Sequence, residues 1–206
     1  MTAINDLNQT PPGSAAKRAG RLRLAGVIAA AVIVAVVAYL LLSGGGDKSS
    51  TADTTTNPAK PPTIKIVTPA GLVSAQASAG HPVYWAGEQP GTDLELSIYS
   101  NDPAGPRYFV RYLTGDAKAG DPRGTFLTVG TYPVPDAVSA LKKVAKDNNG
   151  ETHHTPDGAL VVVTPSDPTS VYIAYPNSDQ EIEVYDPDAA RALDLALSGK
   201  IKPAGS

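Results

Sequence analysis

Residues able to do chemistry are few in this chain and far apart. The histidines stand at 81, 153 and 154, and there is no cysteine. Without cysteine there are no thiol nucleophiles, thiolate metal sites, redox motifs or disulfides, so any folded domain rests on its core alone. His81 precedes Pro82 at the start of a Tyr-Trp segment. It is the candidate base of a hydrolase if a serine or carboxylate meets it in space. The competing reading is a histidine that bonds a backbone carbonyl or caps a helix. Glu151-Thr152-His153-His154-Thr155-Pro156-Asp157 is the most metal-like cluster. Adjacent histidines bring at most one or two rings to a common ion, whereas zinc takes three or four ligands in fixed geometry. The segment lies between Asn149-Gly150 and Gly158 and reads as a solvated loop, so no metal site is assigned. Asp186 and Asp188 flank a helix start, where the helix dipole favours carboxylates. No Gly-x-Ser-x-Gly elbow, phosphate-cradling glycine loop, dinucleotide fingerprint or His-Glu-x-x-His motif occurs, and no cofactor is expected.

Aromatic side chains are the compositional hint of binding. Nine tyrosines, one tryptophan and two phenylalanines fall largely on expected strands. Tyr84, Trp85, Tyr99 and Phe109, with Arg107 and Arg111, form the candidate binding set. Exposed aromatics stack on sugars or grip peptides, although strands favour aromatics in any case.

The elements that position these residues follow from periodicity and punctuation. Thr63–Val67 reads as a short strand. The following helix has Thr68 as N-cap, Pro69 at its first position and Gly80 at its end. Residues 81–87 read as a strand ending at glycine. Leu94, Leu96 and Ile98 alternate with Glu95, Ser97 and Tyr99. Residues 107–113 alternate again, and 126–132 form a third strand. A helix spans 136–148, with Ala137, Val138, Leu141, Val144 and Ala145 at helical spacing. The second half repeats the plan: a strand at 159–164, a turn at Ser166-Asp167-Pro168, strands at 171–175 and 181–185, and a helix over 188–198. Three strands and a helix, twice, suggest a duplicated βββα unit. Strand runs followed by helices imply an α+β fold with a mostly antiparallel sheet and helices on one face. The other face would then be exposed, carrying Arg107, Phe109 and Arg111 with Glu95, Glu181 and Glu183 nearby.

Ahead of this domain, Leu24–Leu42 holds nineteen residues and no charge. As an α-helix it would be roughly 28 Å long, about the hydrocarbon thickness of a bilayer. Lys17, Arg18, Arg21 and Arg23 precede it, which predicts a cytoplasmic N-terminus and an extracytoplasmic C-terminal domain. A cleaved signal peptide is the rival reading. The apolar run is long for one, so an uncleaved single-pass anchor is expected. Residues 1–23 read as a disordered basic tail and 43–62 as a Gly/Ser/Thr/Pro linker, on the order of 25 Å end to end. The domain, 63–206, carries eleven basic and seventeen acidic side chains, a net of −6. That sign argues against nucleic acid as a partner.

Three segments carry a resemblance: His81-Pro82-Val83-Tyr84-Trp85-Ala86-Gly87, residues 108–113 (Tyr-Phe-Val-Arg-Tyr-Leu) and residues 126–133 (Phe-Leu-Thr-Val-Gly-Thr-Tyr-Pro). Over roughly residues 68–145 the chain resembles uncharacterised single-pass envelope proteins of actinobacterial type. The resemblance implies a location in the cell envelope and transfers no catalytic residue. The expected function is a membrane-anchored extracytoplasmic domain that binds or scaffolds an envelope protein or glycan. The alternatives are an envelope hydrolase using His81 with nearby carboxylates, and a sensor signalling through the short basic tail.

Overall fold

Alternating and helical runs fold into ten strands and three helices among residues 60–206, the residues that the computed structural model describes. The basic tail 1–23, the expected span Leu24–Leu42 and linker residues 43–59 lie outside the described residues. Among the described residues no helix is long and apolar enough to cross a membrane.

The chain runs β1 (Thr63–Val67), α1 (Pro69–Ala79), β2 (Tyr84–Trp85), β3 (Asp93–Tyr99), β4 (Arg107–Leu113), β5 (Thr128–Pro133) and α2 (Ala137–Asp147). It continues through β6 (Glu151–His154), β7 (Leu160–Thr164), β8 (Asp167–Ala174), β9 (Gln180–Tyr185), α3 (Ala189–Leu197) and β10 (Lys202–Pro203). Eight strands form one sheet in the order β1-β3-β4-β5-β9-β8-β7-β6, with every neighbouring pair antiparallel. β2 and β10 make a separate two-stranded pair.

The helices start where short polar side chains satisfy free N–H groups. Thr68 accepts from the Gly71 amide at 3.1 Å, and Asp188 accepts from the Ala190 and Arg191 amides at 3.0 and 3.3 Å. α1 ends at Gly80, whose φ of +72° favours a residue without a Cβ.

Alternation decides the layering. Leu94 and Leu96 on β3 share a face with Val110, Val129, Val184, Val171 and Val161. This first face buries one cluster with Leu72 of α1 and Ala192 and Ala196 of α3. The second face carries Leu160, Val162, Tyr172 and Ala174, which pack with Ala137, Leu141 and Ala145 of α2. Helices therefore cover both faces rather than the one expected. A helical period shows that a helix has an apolar side but not which side of a sheet it will meet.

Strand order is symmetric about the β5–β9 seam, β1-β3-β4-β5 mirroring β6-β7-β8-β9. The helices after the two halves break that symmetry. α2 lies on the second face over β7–β9, and α3 lies on the first face, chiefly over β8 and β9. The second face of the β1-β3-β4-β5 half is left without a helix.

Three local expectations change. The strand expected over 81–87 shrinks to β2, because Pro82 offers no N–H and Gly87 turns at φ +71°. The expected loop at 151–157 begins as β6, a polar edge strand paired to β7. β8 begins at Asp167, inside the expected turn. A register shift between Val163 and Thr164 absorbs the tight reversal.

Candidate functional site

The helix-free half of the second face is covered by the segment between β4 and β5, residues 114–127, which lies across it as a strap. One buried carboxylate holds the strap down. Glu95 is fully buried. It accepts from Arg111 Nη1 at 2.8 Å, from the Gly120 amide at 2.5 Å and from Ser97 Oγ at 3.3 Å. Arg111 Nη2 donates onward to the carbonyls of Asp121 and Arg123 at 2.8 and 3.0 Å, and the guanidinium stacks 5.2 Å from the Phe126 ring. Arg123 grips Asp121 through Nε–Oδ1 at 2.9 Å and Nη2–Oδ2 at 2.7 Å. Those hydrogen bonds pull the Asp121 carboxyl down to about 2. At its far end the strap accepts from Tyr185 Oη at Gly124 O, 2.6 Å.

Between strap and sheet lies an open groove of about 390 Å³. It runs across the strands from Ile64 on β1, past Tyr99 and Phe109, to Ser170 and Glu183 on β8 and β9. Glu183 accepts from Ser170 Oγ at 2.7 Å and from the Tyr132 hydroxyl. Burial pushes the Glu183 carboxyl up, and both hydrogen bonds oppose that shift. Burial and the Glu183 charge together raise the Tyr132 hydroxyl well above the usual phenol range. Glu181 lies two residues along the same face, is 4% exposed, and has no hydrogen-bond partner at Oε2. Burial first, and then the Glu183 charge, push it up to about 8.

Four of the six candidate binding residues come together here. Tyr99 and Phe109 meet edge to face at 5.4 Å, and Phe109 meets Tyr132 the same way at 5.5 Å. With Arg111 they line the groove. Arg107 sits beside them, paired with Asp102 and 5.9 Å over the Tyr132 ring. Tyr84 and Trp85 do not join the set. β2 packs on the first face, where the Tyr84 amide donates to Thr131 Oγ1 at 3.0 Å and its ring stacks on Tyr175 at 5.6 Å. Proximity in sequence did not survive the chain's crossing from one face to the other.

Sequence reasoning missed Asp167, Ser170 and Tyr185, and it missed Asp121 and Arg123 of the strap. The signal available was Gln180–Tyr185, where two glutamates alternate with Ile182 and Val184. Both glutamates thus lie on one face of a strand central to the sheet.

The other chemical candidates have structural places. His81 Nδ1 donates to Pro82 O at 3.0 Å, and its ring meets Tyr108 edge-on at 5.1 Å. No serine or carboxylate hydrogen-bonds to it among the described residues. His153 lies 3.6 Å from Glu151, and no group of three metal-ligating side chains occurs among the described residues. Asp186 is fully buried and accepts from Arg191 Nε at 2.6 Å and from the Asp188 amide at 2.9 Å, fastening the start of α3. A second open cleft, of about 540 Å³, lies beside α3 and includes Arg191, Asp194 and Lys200. Its Arg191 is held by Asp186.

Comparison with family models, with curated proteins and with solved structures finds no match to this chain.

Proposed function

We propose that this chain is a membrane-anchored, extracytoplasmic binding or scaffolding protein of the cell envelope, with the groove under the strap as its contact site. The groove is the observation that supports the binding reading. A sheet face flanked by an apolar core elsewhere is here left open beside the strap, walled by Tyr99, Phe109 and Arg111 and held in shape by the Glu95–Arg111 ion pair. Sites that bind ligands are concave, largely apolar and furnished with a few fixed polar groups. The anchor and the location rest on Leu24–Leu42, the basic residues before it and the resemblance to single-pass envelope proteins. The hydrolase reading draws no support from His81, whose Nε2 meets no serine or carboxylate among the described residues.

Two experiments test this. A tag at the carboxyl end should be cleaved by protease added to intact cells; protection would overturn the orientation. A photo-crosslinking residue at Tyr99 should capture an envelope component in cells, while the same residue at Ser78, exposed on α1, should not. Equal labelling at both positions, or none at 99, would remove the groove as the contact site.

A further inference from the structure

Charge in the groove is arranged asymmetrically. Its two guanidinium groups are already paired, Arg111 with Glu95 of the neighbouring strand at 2.8 Å and Arg123 with Asp121 of the strap at 2.7 Å. Its acids at the β8–β9 end have no such partners. Asp167 and Glu183 form no ion pair among the described residues. Asp167 accepts from Thr169 Oγ1 at 2.9 Å, and Glu183 accepts only from hydroxyls. Carboxylates held by neutral hydroxyls keep acceptor capacity for a further donor.

Across the sheet Phe109 pairs with Gly130, and Gly130 pairs with Glu183. Phe109 and Glu183 are thus two strand spacings apart, about 10 Å. The Tyr132 ring fills the space over Gly130 and its hydroxyl donates to Glu183, so the groove passes from Phe109 to the acids along Thr128 and Tyr185. A ligand seated in it meets an aromatic ring at one end and two acids at the other.

The geometry points to a lysine side chain of a protein partner as the occupant, its methylene stem against Phe109 and Tyr99 and its ammonium between Asp167 and Glu183. This rests on the groove being the contact site. Lysine matches in shape, with a flexible four-carbon stem ending in a compact charge. It matches in field, because the domain carries a net of −6 and opposite charge steers association. It also relieves a cost already present, since burial works against ionisation of Glu183 and a nearby ammonium works for it.

The test uses the full chain purified in detergent and three probes: the blocked tripeptide Ala-Lys-Ala, the same peptide with neutral isosteric norleucine in place of lysine, and a neutral chitin tetrasaccharide. Binding is followed by NMR of the tyrosine and phenylalanine rings. The lysine peptide should bind about tenfold or more tightly than the norleucine peptide, a difference expected of a charge-assisted contact. The double variant Asp167→Asn, Glu183→Gln should erase that preference, and Asp167→Asn alone should reduce it. Phe109→Ala should weaken both peptides together. Equal binding of the two peptides, or a preference surviving the double variant, would overturn the inference. Phe109-dependent binding of the tetrasaccharide without lysine preference would overturn it too, yet leave the groove as the site. If no probe perturbs Tyr99 or Phe109, the inference and the groove reading fall together.

Discussion

Over β7–β9 the second face of the sheet is roofed by α2, and over β3–β5 it is roofed by the strap. Under the helix lie Leu160, Val162, Tyr172 and Ala174, apolar or nearly so. Under the strap lie Glu95, Ser97 and Arg111, whose polar atoms bond one another and, through Glu95 and Arg111, the Gly120 amide and the Asp121 and Arg123 carbonyls of the strap. A helix satisfies its own backbone and asks only for an apolar surface. An irregular segment has amides and carbonyls to satisfy, and the strands beneath must supply the groups that do it. The first solution closes the face. The second leaves room beside it, and that room is the groove.

The strap should therefore fail when its anchor is removed. Glu95→Ala leaves Arg111 with a buried face and no carboxylate, and frees the Gly120 amide. Removing one partner of a buried pair costs about 3–5 kcal/mol, read as a drop in urea midpoint. The groove should collapse with it, so a groove ligand should no longer protect against unfolding. Retained stability would mean that the strap is held mainly by Phe126 packing.

On the helix side the expected loss is of another kind. Leu141 is 1% exposed in the α2 cluster, and Leu141→Ala opens a cavity costing about 3 kcal/mol. The groove residues should be undisturbed, so ligand affinity should hold in the folded fraction. A matching loss of affinity would show that the two halves are mechanically one.

How far these two roofs could be foreseen is instructive. The alternation of Leu94, Leu96 and Ile98 with Glu95, Ser97 and Tyr99 assigned the two faces of β3 correctly. It did not follow that the polar face meets water: Glu95 and Ser97 are buried because residues remote in sequence fold over them. Likewise the apolar spacing in 137–145 located α2, but only tertiary packing chose its side of the sheet. β6 was illegible because an edge strand of Glu, Thr and His has no apolar alternation, and its pairing comes from Val161 and Val163 on its neighbour. Tyr99, Phe109 and Arg111 could be gathered because they lie on adjacent strands. Asp167 and Ser170 could not, since they reach the site only through the β5–β9 seam.

Glu181 sits at that seam and should report on pH. Its folded value, about 8, is raised from the ordinary 4.5. The native state thus holds a proton that the unfolded chain has released over that interval. Stability is full below about pH 4.5 and is lost as pH rises through 8. Glu181→Gln should flatten this slope and stabilise the protein at pH 8 by on the order of 2 kcal/mol, because the amide is neutral throughout but still needs partners. Urea unfolding at pH 5 and pH 8 decides it; parallel slopes in both proteins would mean that Glu181 is ionised in the folded state.

The smallest change addresses the seam directly. A Cβ built at Gly130 would stand 2.8 Å from the Tyr132 ring and 3.0 Å from its hydroxyl. These atoms are the far end of a side chain held by Phe109 and Glu183 rather than backbone, so Gly130→Ala should displace Tyr132 and not the strand, at about 1 kcal/mol. Tyr132 then leaves Glu183, whose remaining hydroxyl donor is Ser170. The methyl also shifts the ring that stands between Phe109 and Glu183. Ligand affinity should accordingly fall by more than the stability does. If affinity is unchanged while stability drops, the space above Gly130 lies outside the path between the aromatic and acidic ends of the groove.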